Sequence, residues 1–398
     1  MKNVLVLTST LPRWKNDTTP PFVLKLSESL SKKYNMILLA PHSAKAARKE
    51  KTGNMTVYRF RYFMPESLQK LAYGAGILTN VKKSFLAKLQ IPSFLLSQLR
   101  NAESIVKKEK INLLHAHWMI PQGLIGAMLK KKYKIPMLVT IHGSDLFPLK
   151  NRFFKAMQKS ILGNADIITV NSETAKNELL SRFPHLKSKI RIIPMGIDTT
   201  VFRPEKAKHL KYKSKIILFV GRLNEQKGVQ YLIKAMPKIT AKTKNAKLLI
   251  IGEGDYGKEL ENIAKAHNTE ELIEFLGSKT QAEIAGYCNI ADVFVLPSAT
   301  TKLGTESFGL VLAEAMACGT PVIGSSSGGI KNIIKNGKNG LVFEEKNPDD
   351  LAEKVSKVLN DAKLKKRLSK NGLKYARQNY DWNKISKKFS SLYGQLLK

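Results

Sequence analysis

The run Ile216-Ile217-Leu218-Phe219-Val220 breaks off at Gly221-Arg222-Leu223. Five consecutive apolar residues, mostly β-branched or aromatic and closed by glycine, read as a strand buried on both faces. C-terminal to it the same signal recurs at 248–251, 273–276, 293–296, 321–323 and 340–343, with amphipathic stretches between. On the N-terminal side the rhythm runs through 4–7, 36–40, 57–60, 113–116, 137–141, 167–170 and 192–193. Helical patterns intervene there at 22–31, 93–108 and 124–131. Strand, helix, strand in this order predicts an α/β chain with parallel sheets and helices on both faces. The restart at Ile216 predicts two such units.

Pro194, Gly196 and Pro204 punctuate the join, and 205–215 is a lysine-rich polar run without periodicity. The expected organisation is therefore a first domain over 1–195 and a second over 196–380. A final helix in 381–398 is separately expected to pack back on the first. Open α/β sheets bind ligands outside the carboxyl ends of their strands, so a cleft between two such domains is the expected site.

The chain has 398 residues, enough for two or three domains. It is 43% hydrophobic and 25% charged, which excludes disordered, collagenous and disulfide-scaffold classes. Its net charge of +36 is the unusual quantity. Residues 1–200 carry 33 basic and 11 acidic side chains, and residues 201–398 carry 34 and 20. The first half thus has the stronger case for an anionic partner. Two cysteines, Cys288 and Cys318, make neither a framework nor a metal cluster and fit a reducing cytosol. The apolar run at 4–7 is too short for a secretory leader, and no apolar stretch approaches 18 residues. A cytoplasmic location is expected.

The densest segment is Thr305-Glu306-Ser307-Phe308-Gly309-Leu310-Val311-Leu312-Ala313-Glu314-Ala315-Met316-Ala317-Cys318-Gly319-Thr320-Pro321. A helix is expected from Leu310 to Cys318, closed by Gly319 and capped by Ser307. Backbone N–H groups over 307–310 would face a docked anion. Glu306 and Glu314 fall roughly 10 Å apart by helical rise, too far to share a proton. They suit two carboxylates gripping hydroxyls at different ends of one long ligand, or else a cap and a solvated face.

Glu, seven residues, Glu, set in Glu-Ser-Phe-Gly…Glu-Ala-Met-Ala-Cys-Gly-Thr-Pro-Val, resembles the signature of the retaining glycosyltransferases of family 4. These have two facing Rossmann-like domains, the GT-B fold. Most members carry glycine where this chain has Ser307. Other segments agree in order. Phe219-Val220-Gly221-Arg222-Leu223 with Lys227-Gly228 resembles the diphosphate clamp. Ile251-Gly252-Glu253-Gly254 and Phe275-Leu276-Gly277 resemble strand ends around the base. Pro194-Met195-Gly196-Ile197-Asp198 resembles the interdomain linker. Thr140-Ile141-His142-Gly143-Ser144-Asp145 resembles the His-Gly-x-Asp segment beside the donor sugar.

The resemblance implies a sugar moved from a nucleotide-diphosphate sugar to an acceptor with retention at the anomeric carbon. Glu306 and His142 are then the catalytic pair, Glu306 on the sugar hydroxyls and His142 steadying developing positive charge. Arg222, Lys227, Gly221, Gly252, Ser307, Phe308, Gly309 and Glu314 bind the donor, Glu314 at the ribose. Trp14, Tyr73 and His117 are expected to meet the acceptor.

His115-Ala116-His117-Trp118 places two histidines on one strand face, but no third ligand follows at a suitable spacing, so no metal is expected there. Many members of the family that the chain resembles place Gly-Gly against the donor phosphates near the end of the first loop. This chain has Thr19-Pro20-Pro21, and proline lacks the N–H to bind phosphate. The chain contains no Asp-x-Asp, the carboxylate pair that usually bridges a metal to a diphosphate. Cationic side chains and a helix N-terminus can take its place, so no cofactor and a metal-independent reaction are expected.

Residues 70–100 hold Lys70, Lys82, Lys83, Lys88 and Arg100 and no acidic residue. Leu71, Tyr73, Ile77, Leu78, Phe85, Leu86, Leu89, Ile91, Phe94 and Leu95 are interleaved among them. A basic, apolar, partly amphipathic stretch reads as an interfacial segment on an anionic membrane, which suits a lipid-linked or other membrane-associated glycan acceptor. Two other functions compete. A sugar-nucleotide epimerase on the same fold would need no acceptor. A basic nucleic-acid-binding protein would show a steep salt dependence, but no nucleic-acid module or aromatic stacking array is present, and none is expected as a partner.

Overall fold

Val4, Leu5, Val6 and Leu7 have no exposed surface at all, as a strand with neighbours on both edges and helices on both faces requires. They form β1 (Asn3–Leu7), the centre of an eight-stranded sheet. The other strands are β2 (Asn35–Pro41), β3 (Lys49–Thr52), β4 (Met55–Phe60), β5 (Leu113–His117), β6 (Met137–Ile141), β7 (Ile167–Val170) and β8 (Ile190–Ile192). Their order is β3-β4-β2-β1-β5-β6-β7-β8, parallel except for β3, which runs antiparallel to β4 with Lys49 opposite Tyr58. A second, six-stranded sheet contains β9 (Lys215–Val220), β10 (Ala246–Ile251), β11 (Ile273–Phe275), β12 (Val293–Leu296), β13 (Val322–Ser325) and β14 (Leu341–Phe343). Its order is β11-β10-β9-β12-β13-β14, all parallel.

A computed structural model describes residues 1–74, 76–149, 151–205, 212–302 and 304–398. The chain divides into two compact units. Unit 1 comprises Met1–Asn171, Ala175–Ile193 and Ile385–Lys398, and unit 2 comprises Ser172–Thr174 and Pro194–Lys384. The last helix, Trp382–Leu396, thus contributes most of its length to unit 1, where Phe389 and Tyr393 are buried. Most of the polar run expected at the join, 206–211, lies outside the described residues.

In each sheet the strand order reverses beside the first strand of the unit: β1 lies between β2 and β5, and β9 between β10 and β12. That is where loops at the carboxyl ends diverge and leave room for a ligand. Every expected strand is present. β3 escapes the pattern because Lys49-Glu50-Lys51-Thr52 is wholly exposed and has no apolar face. Charges on that edge discourage pairing with other chains.

The helix expected over 93–108 instead spans Phe85–Glu109, capped by the Ser84 hydroxyl, which accepts from the Ala87 N–H at 3.2 Å. Pro92 lies inside it on the exposed side, where the carbonyl it leaves unbonded can meet water. The side of this helix turned inward carries Ala87, Gln90, Phe94, Gln98 and Ala102. Its outer side carries Phe85, 73% exposed, Leu89, 57%, and Leu96, 47%. The helix therefore buries glutamines and exposes a phenylalanine and leucines. Among the apolar residues of the basic stretch, Leu71, Tyr73 and Phe94 are core and do not face outward.

Candidate active site

Glu306 is drawn into a knot of donors in unit 2. Its Oε2 accepts from Lys227 Nζ at 2.6 Å and from Ser298 Oγ at 2.9 Å. Its carboxylate also takes the backbone N–H of Phe308. Burial alone would raise this carboxyl, but the Lys227 ammonium and these hydrogen bonds outweigh it and hold the group below its ordinary 4.5. Glu306 is thus ionised at neutral pH.

Backbone fit brings these residues together. Lys227 ends a short turn, Glu225–Lys227, and its backbone N–H donates to the Oδ1 of the capping residue Asn224 at 3.1 Å. Gly228 follows at φ +72, and a Cβ there would lie 1.8 Å from the Pro297 carbonyl oxygen. Only glycine lets the turn after β9 press against the loop after β12 and so present Lys227 beside Ser298. Gly252, at the end of β10, makes the same approach to Gly221: its Cβ would lie 1.9 Å from the Gly221 carbonyl oxygen. The loop carrying Glu306 is pinned in turn, since Thr300 Oγ1 donates to Glu345 at 3.0 Å and Thr305 Oγ1 bonds Ser327 Oγ at 2.8 Å.

The helix Leu310–Ala317 begins at Gly309, which has φ +88 and supplies the cap in place of Ser307. Eight residues on from Glu306, Glu314 is buried with no hydrogen bond from its side chain among the described residues. Burial pushes its carboxyl up to about 7. One helix thus carries a proton-holding carboxyl, and a held carboxylate stands just before it.

Unit 1 carries a histidine group at the ends of β5 and β6. His117 Nδ1 and His142 Nε2 are 3.0 Å apart. His115 packs against His117 with ring centroids 4.2 Å apart, and both its nitrogens are engaged: Nδ1 by the Tyr393 hydroxyl and Nε2 by Thr140 Oγ1, each at 2.7 Å. Phe22 and Trp118 flank His142 at 5.0 and 4.5 Å between centroids. Burial holds His115 and His142 down to about 3 and His117 well below 6.5, so all three rings are neutral. The Asp145 carboxylate accepts the backbone N–H groups of Met119 at 2.7 Å and of His142 and Gly143 at 3.1 Å, tying the two strand ends together. Trp118 takes a left-handed backbone, φ 74, next to this group.

In the first loop Arg13 forms a fork on Asp17 at 2.8 and 2.9 Å. Its guanidinium lies 4.3 Å from the Trp14 ring centroid and 5.0 Å from that of Tyr73. Burial opposes ionisation of Asp17, yet the Arg13 fork and backbone donors bring it down to about 2.

Residues 22–201 match the profile described as Glycosyltransferase Family 4, and residues 201–375 match Glycosyl transferases group 1. The chain is 33% identical to an uncharacterized glycosyltransferase of Methanocaldococcus jannaschii over 85% of its own length and 90% of that protein. The chain belongs to the group 1 glycosyltransferases of family 4. It is also 26% identical to a D-inositol 3-phosphate glycosyltransferase of Corynebacterium jeikeium, over 78% of this chain and 79% of that one. Its fold matches the sucrose-phosphate synthase of Thermosynechococcus elongatus with a TM-score of 0.82 at 23% identity, covering 100% and 99% of the two chains. Two α/β domains with parallel sheets, the GT-B architecture, and transfer of sugar from a nucleotide sugar follow from this membership.

Within this glycosyltransferase the structure joins Lys227 directly to Glu306, where the sequence had assigned one to phosphate and the other to sugar. Arg222 is exposed at the end of β9, in the field of Asp255. Three assignments change. The Phe308 N–H, expected to face a docked anion, is taken by the Glu306 carboxylate, and its ring is buried edge-on against Tyr380 at 5.6 Å. Tyr73 is buried and its hydroxyl donates to the Pro41 carbonyl at 2.7 Å, which leaves it as backing for Arg13, not as an acceptor contact. His117 has no exposed surface and faces His142. Trp14 is 46% exposed. Ser298, Arg13 and Asp17 were given no site role from the sequence. Arg13-Trp14 followed by Asp17 carries a weak i,i+4 pairing signal, whereas Ser298, just past the end of the apolar run 293–296, reaches Glu306 only through the tertiary fold.

Among the described residues no three His, Cys, Asp or Glu side chains are grouped to hold a metal, and no helix is long and apolar enough to cross a membrane.

Proposed function

We propose that this glycosyltransferase is retaining and metal-independent and that its acceptor is lipid-linked or otherwise held at an anionic membrane. The observation that carries the donor half is the Lys227–Glu306–Ser298 knot. A carboxylate kept ionised there can hold sugar hydroxyls as strong acceptor groups, while Lys227 and Arg222 neutralise the leaving diphosphate. Glu314 then grips the ribose through its protonatable carboxyl, and His142 is a neutral imidazole assigned to the transferring sugar. With cations of the protein already supplied to the diphosphate, no bridging metal is needed.

The acceptor half rests on the helix Phe85–Glu109. Phe85 and Leu89 lie exposed among Lys82, Lys83 and Lys88, also exposed, in a stretch with no acidic side chain between Glu66 and Glu103. Apolar side chains rimmed by lysine suit the interface of an anionic bilayer. The relative that acts on D-inositol 3-phosphate supports a phosphorylated polyol as a second class of acceptor. An epimerase would convert donor with no acceptor present.

The test is a thermal-shift panel of UDP-, GDP- and ADP-sugars, followed by transfer with the sugar that binds. Product formed in EDTA, with the donor's anomeric configuration, is the expected result. Dependence on magnesium or manganese, or inversion at the anomeric carbon, would overturn the mechanism.

A further inference from the structure

His117 and His142 face each other through Nδ1 and Nε2 at 3.0 Å, with ring planes within 17° of one another, which suits a hydrogen bond lying in the plane of both rings. Both rings are neutral, since burial disfavours a charge on either. One proton therefore lies between them, and it belongs to one ring or the other.

If it belongs to His142, that ring is protonated on Nε2, and the proton of His117 must sit on its own Nε2. That nitrogen is buried and has no hydrogen-bond partner among the described residues. An N–H there would be an orphaned donor. If the proton belongs to His117 Nδ1, only a lone pair is left unpartnered at Nε2. Buried orphaned N–H groups are the rarer and costlier case. Nor can the ring turn to find a partner easily. It packs against His115, which is fastened at both nitrogens to Tyr393 and Thr140.

His142 then has its Nε2 occupied as an acceptor and its proton on Nδ1. No hydrogen bond to Nδ1 occurs among the described residues, and this atom is not one of the buried unpartnered ones, so it reaches the surface of unit 1. We infer that His117 is a positioning residue that locks His142 in the Nδ1–H tautomer, so that His142 offers its ligand a hydrogen-bond donor and not a basic nitrogen. The ligand atom it suits is an oxygen with a free lone pair, such as a sugar hydroxyl or a phosphate oxygen. His142 is thereby unsuited to act as a general base. The inference rests on the reading of His142 as the residue assigned to the transferring sugar.

The first test uses the full chain labelled with [15N]histidine. Two-bond proton–nitrogen correlations at pH 7 report which nitrogen of each ring is protonated, and His142 is assigned by the signal lost in His142→Gln. Protonated Nδ1 with bare Nε2 is expected, and protonated Nε2 would overturn the inference. The second test compares His117→Asn with His117→Leu. The two side chains have the same shape, but only asparagine places an N–H where His117 carries Nδ1. Both lose the same packing, so a merely structural role predicts equal turnover. The expected result is a kcat within about threefold of wild type for asparagine and at least about tenfold lower for leucine, at equal donor thermal shift. Equal kcat in the two variants would overturn the positioning role. Wild-type turnover in His142→Ala would instead overturn the assignment of His142 itself, leaving the tautomer measurement to stand on its own.

Discussion

Glu306 is charged in a place that does not favour charge, and its neighbours are the reason. Glu306→Gln removes that charge while keeping the side chain's length. The loss of charge-assisted hydrogen bonds to the sugar is worth about 1.5–3 kcal/mol, so turnover should fall about 10–100-fold or more with the circular dichroism spectrum unchanged. A purified variant with full turnover would refute the assignment. Glu314 behaves in the opposite sense. Its folded carboxyl holds a proton up to about 7, whereas in the unfolded chain it ionises near 4.5. The native state therefore binds more protons between these values, and stability falls as pH rises through them. The full loss is about 3 kcal/mol and persists above pH 7. Glu314→Gln cannot ionise, so it should match wild type near pH 4.5 and exceed it by up to about 3 kcal/mol at pH 8. Urea unfolding of both proteins at the two pH values measures this; a constant difference between them would show that Glu314 is not the buried acid described.

The helix Phe85–Glu109 sets a prediction at the scale of the element. Changing Lys82, Lys83 and Lys88 to Glu should abolish flotation on anionic liposomes, since each basic residue near such a surface contributes about 1 kcal/mol. Phe85→Ser with Leu89→Ser should weaken flotation without lowering stability, because both side chains already face water. Neither change touches unit 2, so the donor thermal shift should persist. Wild-type protein that fails to float at low salt would end the membrane proposal. This helix also marks the limit of what periodicity conveys. Its apolar residues announced an amphipathic stretch, yet the spacing alone could not say that Gln90 and Gln98 face inward and Phe85 and Leu89 outward. Gln90 is satisfied by the Leu68 carbonyl at 2.6 Å and the Lys70 N–H at 3.0 Å, partners some twenty residues away. The parallel strands were legible because burial on both faces makes them continuously apolar. Strand β3 was not, because its edge position asks for charge. In the site, Glu306 and His142 stood out through the motifs around them. Ser298 and the His117–His142 bond depend on contacts that only folding creates.

At the scale of the whole chain, the last helix determines where the consequences of a core change appear. Residues Ile385–Lys398 belong to unit 1 although they follow unit 2 in sequence. Phe389 has no exposed surface and its ring lies 5.6 Å from that of His115 on β5. Tyr393 bonds His115, and Tyr34 reaches the Ser390 carbonyl at 3.2 Å. Replacing a fully buried phenylalanine by alanine removes its transfer energy and leaves a cavity, costing about 3–5 kcal/mol. Phe389→Ala should therefore lower the stability of unit 1, and native-state hydrogen exchange should quicken in β1 and β5. The strands of unit 2, β9 and β12, have no part in that cavity and should keep their protection, as should the donor thermal shift. Because His115 backs His117, the same variant should also slow transfer while donor affinity holds. Faster exchange confined to β9 and β12, with β5 unchanged, would mean that the last helix serves the unit it follows in sequence and not the one it is packed in.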